Sequence, residues 1–226
     1  MWIAALVGNS AGAPYCDYVE FSKQCQPIPI TPEQARQFQC REDPMNDTVR
    51  ALWPELEWIE NAELREKTAK VWEYALEQSS LQAEDLHEIP FTLQIGKTVS
   101  FMAHKRSVVH ICRESARIMR EFYGDALPID MDTLIAGAIL IDVGKLLEYA
   151  RVDGELVQSR QGKLLRHVFS GVALAYRFDL PPEVIHMIAV HSKEGDFGTR
   201  TVEGWIAHCA DFMTFEPLRS QRDHLA

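Results

Sequence analysis

The chain has no Cys-x-x-Cys pair, and its five cysteines, at positions 16, 25, 40, 112 and 209, are odd in number and irregular in spacing. That excludes a disulfide framework and a zinc–thiolate site and leaves reduced, cytosolic thiols as the expectation. No apolar run approaches the ~18 residues that a membrane-spanning helix needs. Basic residues are outnumbered, 23 Lys+Arg against 33 Asp+Glu, a formal net charge of −10 over 226 residues. Neither nucleic acid nor an anionic membrane surface is expected as a partner, because a phosphate backbone is held by neutralising Lys and Arg. A small phosphorylated substrate is not excluded, since a local pocket can oppose the global charge. The N-terminal apolar run Trp2–Val7 has no Lys or Arg before it and is short for a signal sequence. A cytoplasmic protein is expected. There is no strand-like alternation of useful length and no internal repeat.

Helical punctuation is plentiful. Residues 1–30 read as irregular, with Pro14, Pro27 and Pro29. Thr31-Pro32-Glu33-Gln34 opens a short helix by capping logic, and Asp47 is positioned to cap another before Pro54. Residues 62–79 place Leu64, Thr68, Val71, Trp72, Ala75 and Leu76 on one stripe. Residues 98–123 predict the longest helix, capped by Thr98 or Ser100, with Val108, Ile111, Cys112, Ser115, Met119 and Phe122 on its buried face and Gly124 at its end. Residues 131–141 are apolar nearly all round, which predicts a central helix covered on every side. Further helices are expected over 164–178, from Pro181-Pro182-Glu183, and from Thr201 to about Phe215, with a frayed polar tail over 216–226. The fold class is all-α. The expected organisation is an N-terminal extension over 1–97 packed on a core domain over 98–215. Trp53, Trp58 and Trp72 serve as packing, and the aromatic excess of the extension suits a possible homodimer.

Later helices carry His or Asp on otherwise apolar faces: His104, Asp142, His167, His191 and Asp211. A lone buried histidine is ordinarily a hydrogen-bonded core residue. Buried carboxylates are harder to account for, because an unpaired one is costly in low dielectric. Imidazoles and carboxylates gathered inside a bundle form a divalent-metal site of N/O type, suited to Mn, Fe, Co, Ni, Zn or Mg. His104 is favoured over His110 as the first donor, since Glu114 follows His110 by four and breaks the buried stripe. His186 points away from His191, His208 is a supporting neighbour of Asp211, and His87 and His224 have no context.

The order of these motifs resembles the HD superfamily of metal-dependent phosphohydrolases. His104-Lys105-Arg106-Ser107-Val108 is similar to its first His segment. Ala138-Ile139-Leu140-Ile141-Asp142-Val143-Gly144-Lys145 is similar to its central motif, and Arg166-His167-Val168-Phe169-Ser170-Gly171 resembles the next, with Val in place of Pro. Ile188-Ala189-Val190-His191 and Ala210-Asp211 complete the series. The resemblance covers about residues 98–215 and implies an HD-like bundle. It implies one ion held by His104, Asp142 and Asp211 and a second by His167 and His191 with Asp142 bridging, so one or two ions in all. It also supports a catalytic role for Asp142 with Lys145, Lys145 facing a substrate phosphate; independently, Gly195 and Gly198 would let the loop after His191 bend so that Glu194 or Asp196 reaches the site. The departure is Ile141, where the family has the His of its His-Asp pair; the first ion should be held more weakly. The Gly-Tyr-Pro signature of the cyclic-di-GMP branch is absent after His191. The resemblance implies a hydrolase of a small phosphate ester such as a nucleotide. Its alternatives are non-phosphate chemistry, such as a di-iron oxygenase, or a non-catalytic regulatory module, for which Ile141 is the motive.

Overall fold

In the computed structural model, residues 44–96 and 99–225 are described. The expected irregular segment at 1–30, the helix opened by Thr31, and Thr98 as a cap lie outside those residues. Helix α1 (Pro44–Leu52) leads through a 3-10 turn at Pro54–Trp58 into α2 (Ala62–Glu77). After a second turn at Glu84–His87 come α3 (Phe101–Tyr123) and α4 (Met131–Leu140). A short α5 (Lys145–Glu148) runs into an antiparallel pair, β1 (Tyr149–Val152) and β2 (Glu155–Gln158). Then follow α6 (Arg160–Leu164), α7 (His167–Arg177), α8 (Pro182–Val190) and α9 (Val202–Leu225).

The all-α class holds, with particular differences from expectation. Asp47 lies inside α1 rather than capping it. Asp153-Gly154, at φ 51° and 85°, makes a two-residue hairpin turn that only residues tolerant of positive φ can form; the strands it joins were too short to stand out in the sequence. The helix expected over 164–178 is α7, which starts three residues later, after Leu165 and Arg166, both extended; the short α6 before them was not expected. Phe122 is 76% exposed, so the buried stripe of α3 stops a turn earlier. The segment beyond residue 215 is not a frayed tail: α9 runs through Pro217 to Leu225, and the Arg222 guanidinium donates to the Gln94 carbonyl.

Helix α4 is the axle. Residues Thr133–Leu140 are all buried, and α2, α3, α8 and α9 pack around them. Its start is fixed by Asp130, whose side chain accepts from the Thr133 N–H at 3.0 Å. Its last four carbonyls, which an isolated helix would leave orphaned, each find a donor. The Ile141 N–H takes the Gly137 carbonyl and the Val143 N–H takes that of Leu140. The Lys105 ammonium donates to Ala138 O at 3.3 Å, and the Trp72 indole donates to Ile139 O at 3.3 Å. Two elements remote in sequence thus finish the helix that delivers Asp142.

The described part of the expected extension shares this core. Trp53 and Trp72 are fully buried with ring centroids 5.1 Å apart, and Phe101 lies edge-on to Trp72 at 6.3 Å. Trp58 stacks under Arg113 and meets His110 edge-on instead. Among the described residues no helix is long and apolar enough to cross a membrane. Trp72→Phe removes the bond to Ile139 and leaves a void where the indole was. We expect a loss of about 1–3 kcal/mol, read as a lower urea midpoint; an unchanged midpoint would show that the indole is not what holds α4.

Candidate metal centre

Asp142 is the hub. It lies just beyond α4 and is 1% exposed. Its Oδ1 faces His167 Nε2 at 3.3 Å and His191 Nε2 at 3.5 Å. Its Oδ2 faces Lys145 Nζ at 3.1 Å, Lys105 Nζ at 3.6 Å and His104 Nε2 at 4.0 Å. None of these contacts is aligned as a hydrogen bond to Oδ2, which stays an orphaned buried oxygen.

The tight turn after Asp142 carries α7 against it. A methyl group at Gly144 would sit 2.0 Å from the His167 carbonyl oxygen, so only glycine permits that approach. The β1–β2 hairpin folds the chain back, and the Ser159 N–H bonds Glu148 O at 2.8 Å. His167 then meets Glu148, whose Oε2 accepts both its backbone N–H and its Nδ1–H at 2.8 Å. His191, at the end of α8, donates Nδ1–H to the Ile188 carbonyl at 2.8 Å, and His208 donates to the His191 carbonyl at 2.6 Å.

These partners fix the tautomers. A carboxylate and a carbonyl can only accept, so the proton sits on Nδ1 of both His167 and His191. Their Nε2 lone pairs therefore face each other at 3.3 Å, together with Asp142 Oδ1. On the other side, Asp211 Oδ1 meets His104 Nε2 at 3.1 Å, while His104 Nδ1 meets Thr214 Oγ1 at 3.3 Å. The Thr214 hydroxyl also reaches the Asp211 carbonyl at 2.9 Å and the Ala210 carbonyl at 3.1 Å, so its contact with Nδ1 leaves either tautomer of His104 open, and Nε2 stands in hydrogen-bond contact with Asp211 Oδ1. Converging lone pairs repel unless a cation lies among them. Asp142, His167 and His191 form one group able to hold an ion, and His104, Asp142 and Asp211 form another, the ligand atoms of each lying within 4.8 Å of one another. The donors fit a divalent ion of the N/O-binding type.

The other residues singled out from sequence fall as follows. Lys145 is in the site and donates to the Phe91 carbonyl at 3.1 Å. Glu194 pairs with Arg166 Nε at 3.3 Å, with its second oxygen buried and unpartnered. Asp196 pairs with Arg200 at 2.8 Å, away from the centre. His110 bonds the buried Glu55 at 2.9 Å and is not part of the centre. Ile141 is fully buried in the hydrophobic core.

Three residues of the site escaped the sequence reading. Phe91 stacks on His104 at 4.0 Å and 21°; it is held there because the Phe91 N–H bonds Val99 O and the Phe101 N–H bonds Ile89 O. Glu148 orients His167; its signal was a carboxylate six residues after Asp142, directly following Leu146-Leu147. Lys105, 0% exposed, could have been noticed as a charge on the buried face of α3.

Beside the donors lies a cavity of about 190 Å³, whose lining includes Lys145, Arg166, Lys193, Tyr149, Phe212 and Phe215. That is below the ~300 Å³ of a typical small-molecule pocket, so it encloses a reacting group rather than a whole nucleotide-sized ligand. Three cationic side chains line it in a chain of net charge −10.

The all-α bundle with a histidine–aspartate centre defines the class, and the HD domain family matches residues 101–212. The chain belongs to the HD superfamily. It is 35% identical over 111 residues, 48% of its own length, to dihydroneopterin 2',3'-cyclic phosphate phosphodiesterase of Methanocaldococcus jannaschii; the alignment covers 43% of that relative. No solved structure matches.

Burial pulls His104 and His167 below the ordinary 6.5, although Asp211 and Glu148 oppose it. Burial alone would raise Asp142, but the Lys145 and Lys105 ammoniums hold it well below the ordinary 3.8. Glu148 is likewise held low, its burial outweighed by the bonds from His167. All four shifts act in one direction. A group held below its free value is protonated first in the unfolded chain, so its contribution is present above the free value and is lost as pH falls toward the folded one. Chelator-treated protein should therefore lose thermal stability progressively as pH drops below ~6.5, and further below ~4. A melting temperature flat from pH 7 to 4 would contradict the assigned environments.

Proposed function

We propose that the protein is a metal-dependent phosphohydrolase that opens a small cyclic phosphodiester or cleaves a related phosphate ester. The observation that carries this reading is the set of inward lone pairs on His167, His191 and Asp142, set beside a cavity with three cationic side chains. The similarity to a cyclic phosphate phosphodiesterase adds the ester class. The ligands are drawn from Asp142, His167, His191, His104 and Asp211, which make up the two candidate groups that share Asp142, and Asp142 and Lys145 are the catalytic pair.

A divalent ion at such a centre makes hydroxide available from bound water near neutral pH. The chain's own residues do the rest. Asp142 orients the water that attacks phosphorus. Lys145, held by the Phe91 carbonyl and Asp142, presents its ammonium to the phosphoryl oxygens as charge develops. Arg166 and Lys193 at the cavity wall hold the non-bridging oxygens, with Glu194 keeping the guanidinium of Arg166 in place. The P–O ester bond breaks, and the departing alkoxide takes a proton from the water shared with the site. The enclosing walls explain selectivity for the reacting group, while the remainder of the substrate rests against Phe212 and Phe215.

Purified protein should hydrolyse 2',3'-cyclic mononucleotides when supplied with Mn, Fe, Co, Ni, Zn or Mg and lose that activity in chelator. Asp142→Ala should abolish turnover and metal retention together; activity surviving in that variant would place the chemistry elsewhere. Glu148→Gln keeps the shape of the side chain but weakens its hold on His167. We expect ion affinity to fall roughly 10- to 100-fold, measured by titration against a chelating indicator, and unchanged affinity would remove Glu148 from the site's support.

A further inference from the structure

Lys105 is the one member of the centre that the reaction leaves without a task. Its side chain is 0% exposed, its Nζ lies 3.6 Å from Asp142 Oδ2, and it is tied to the Ala138 carbonyl at 3.3 Å. It adjoins His104 in the chain and so reaches the group formed by His104, Asp142 and Asp211 from the protein interior. The other group, Asp142, His167 and His191, faces Lys105 only through the far oxygen of Asp142.

We propose that the Lys105 ammonium is a built-in cation that takes the place of the ion at His104, Asp142 and Asp211, so that the centre holds a single divalent ion, at Asp142, His167 and His191. Three observations converge on this. The group next to Lys105 lacks an imidazole at Ile141, which is buried in the core. Oδ2 of Asp142 already faces the two ammoniums Lys105 and Lys145, whereas Oδ1, which His167 and His191 face, has no ammonium in ion-pair contact among the described residues. A second divalent ion would add its charge beside a buried ammonium with no water to screen it, and like charges at such range repel strongly in low dielectric. His104 and Asp211 are then positioning residues that hold each other and Asp142, and the reaction runs on one ion with Lys145 as the second positive centre.

The inference rests on the reading of the centre as metal-binding, and its test reads stoichiometry rather than turnover. Protein saturated with Mn²⁺ and freed of excess should hold about one ion per chain, with an electron paramagnetic resonance spectrum of isolated Mn²⁺ rather than the coupled spectrum of an adjacent pair as in two-metal sites. Lys105→Met combined with Ile141→His removes the ammonium and restores an imidazole, and should raise the count to about two with a coupled spectrum. A coupled pair in the wild-type chain, or a count that stays at one in a folded double variant, overturns the proposal. If the variant fails to fold because α4 loses its carbonyl partner, the wild-type spectrum alone decides. Two ions with intact cyclic phosphate hydrolysis would sink this inference and leave the hydrolase reading standing; no bound ion at all would sink both.

Discussion

A carboxylate with almost no access to water must be neutralised, and the arrangement of this protein follows from how Asp142 is neutralised. The residue hangs from the end of a helix made apolar on every side, so water cannot do it. Two ammoniums and three imidazoles are brought to it instead, from α3, from the start of α5, from α7 and from the end of α8. Each of those elements has its own reason to be helical, but their relative placement is set by one small group of charges. Removing a partner of such a group costs far more than an exposed ion pair contributes, because what is left behind is a buried unpaired charge.

The order of His104, Asp142, His167, His191 and Asp211 was readable because each lies in a short apolar context that periodicity exposes, and the structure brings all five side chains to one place. Central α4 was equally legible, since a helix apolar all round can only be interior. What the sequence hid were relations between distant segments. Phe91 lies before the HD match, and nothing local says that its ring will lie on His104. Glu148 gains its meaning only after the hairpin folds the chain back to His167. The hairpin itself was announced only by Asp153-Gly154 between two runs of four residues. The final helix outlasts its hydrophobic pattern, and Arg222 near its end bonds a carbonyl in the Gln94 loop, a contact that no window of sequence contains.

Ile141 illustrates how one substitution reads differently at the two levels. In sequence it is a missing ligand. In space it is a well-packed core side chain beside a helix end whose carbonyls are filled by Lys105 and Trp72. The site is therefore not simply a family site with a defect. Its interior side is closed by the Lys105 side chain, and its outer side, where Lys145, Arg166 and Lys193 lie, opens on the cavity.

The contacts that finish the centre join residues far apart along the chain: 54 positions separate Lys145 from Phe91, 67 separate Trp72 from Ile139, and 107 separate His104 from Asp211. Closing loops of that size costs chain entropy before any contact repays it, and topologies rich in distant contacts fold slowly. During synthesis Asp142 leaves the ribosome long before Asp211 exists to face His104. The centre thus cannot be complete until α9 has been made, and until then His104 lacks the carboxylate it faces.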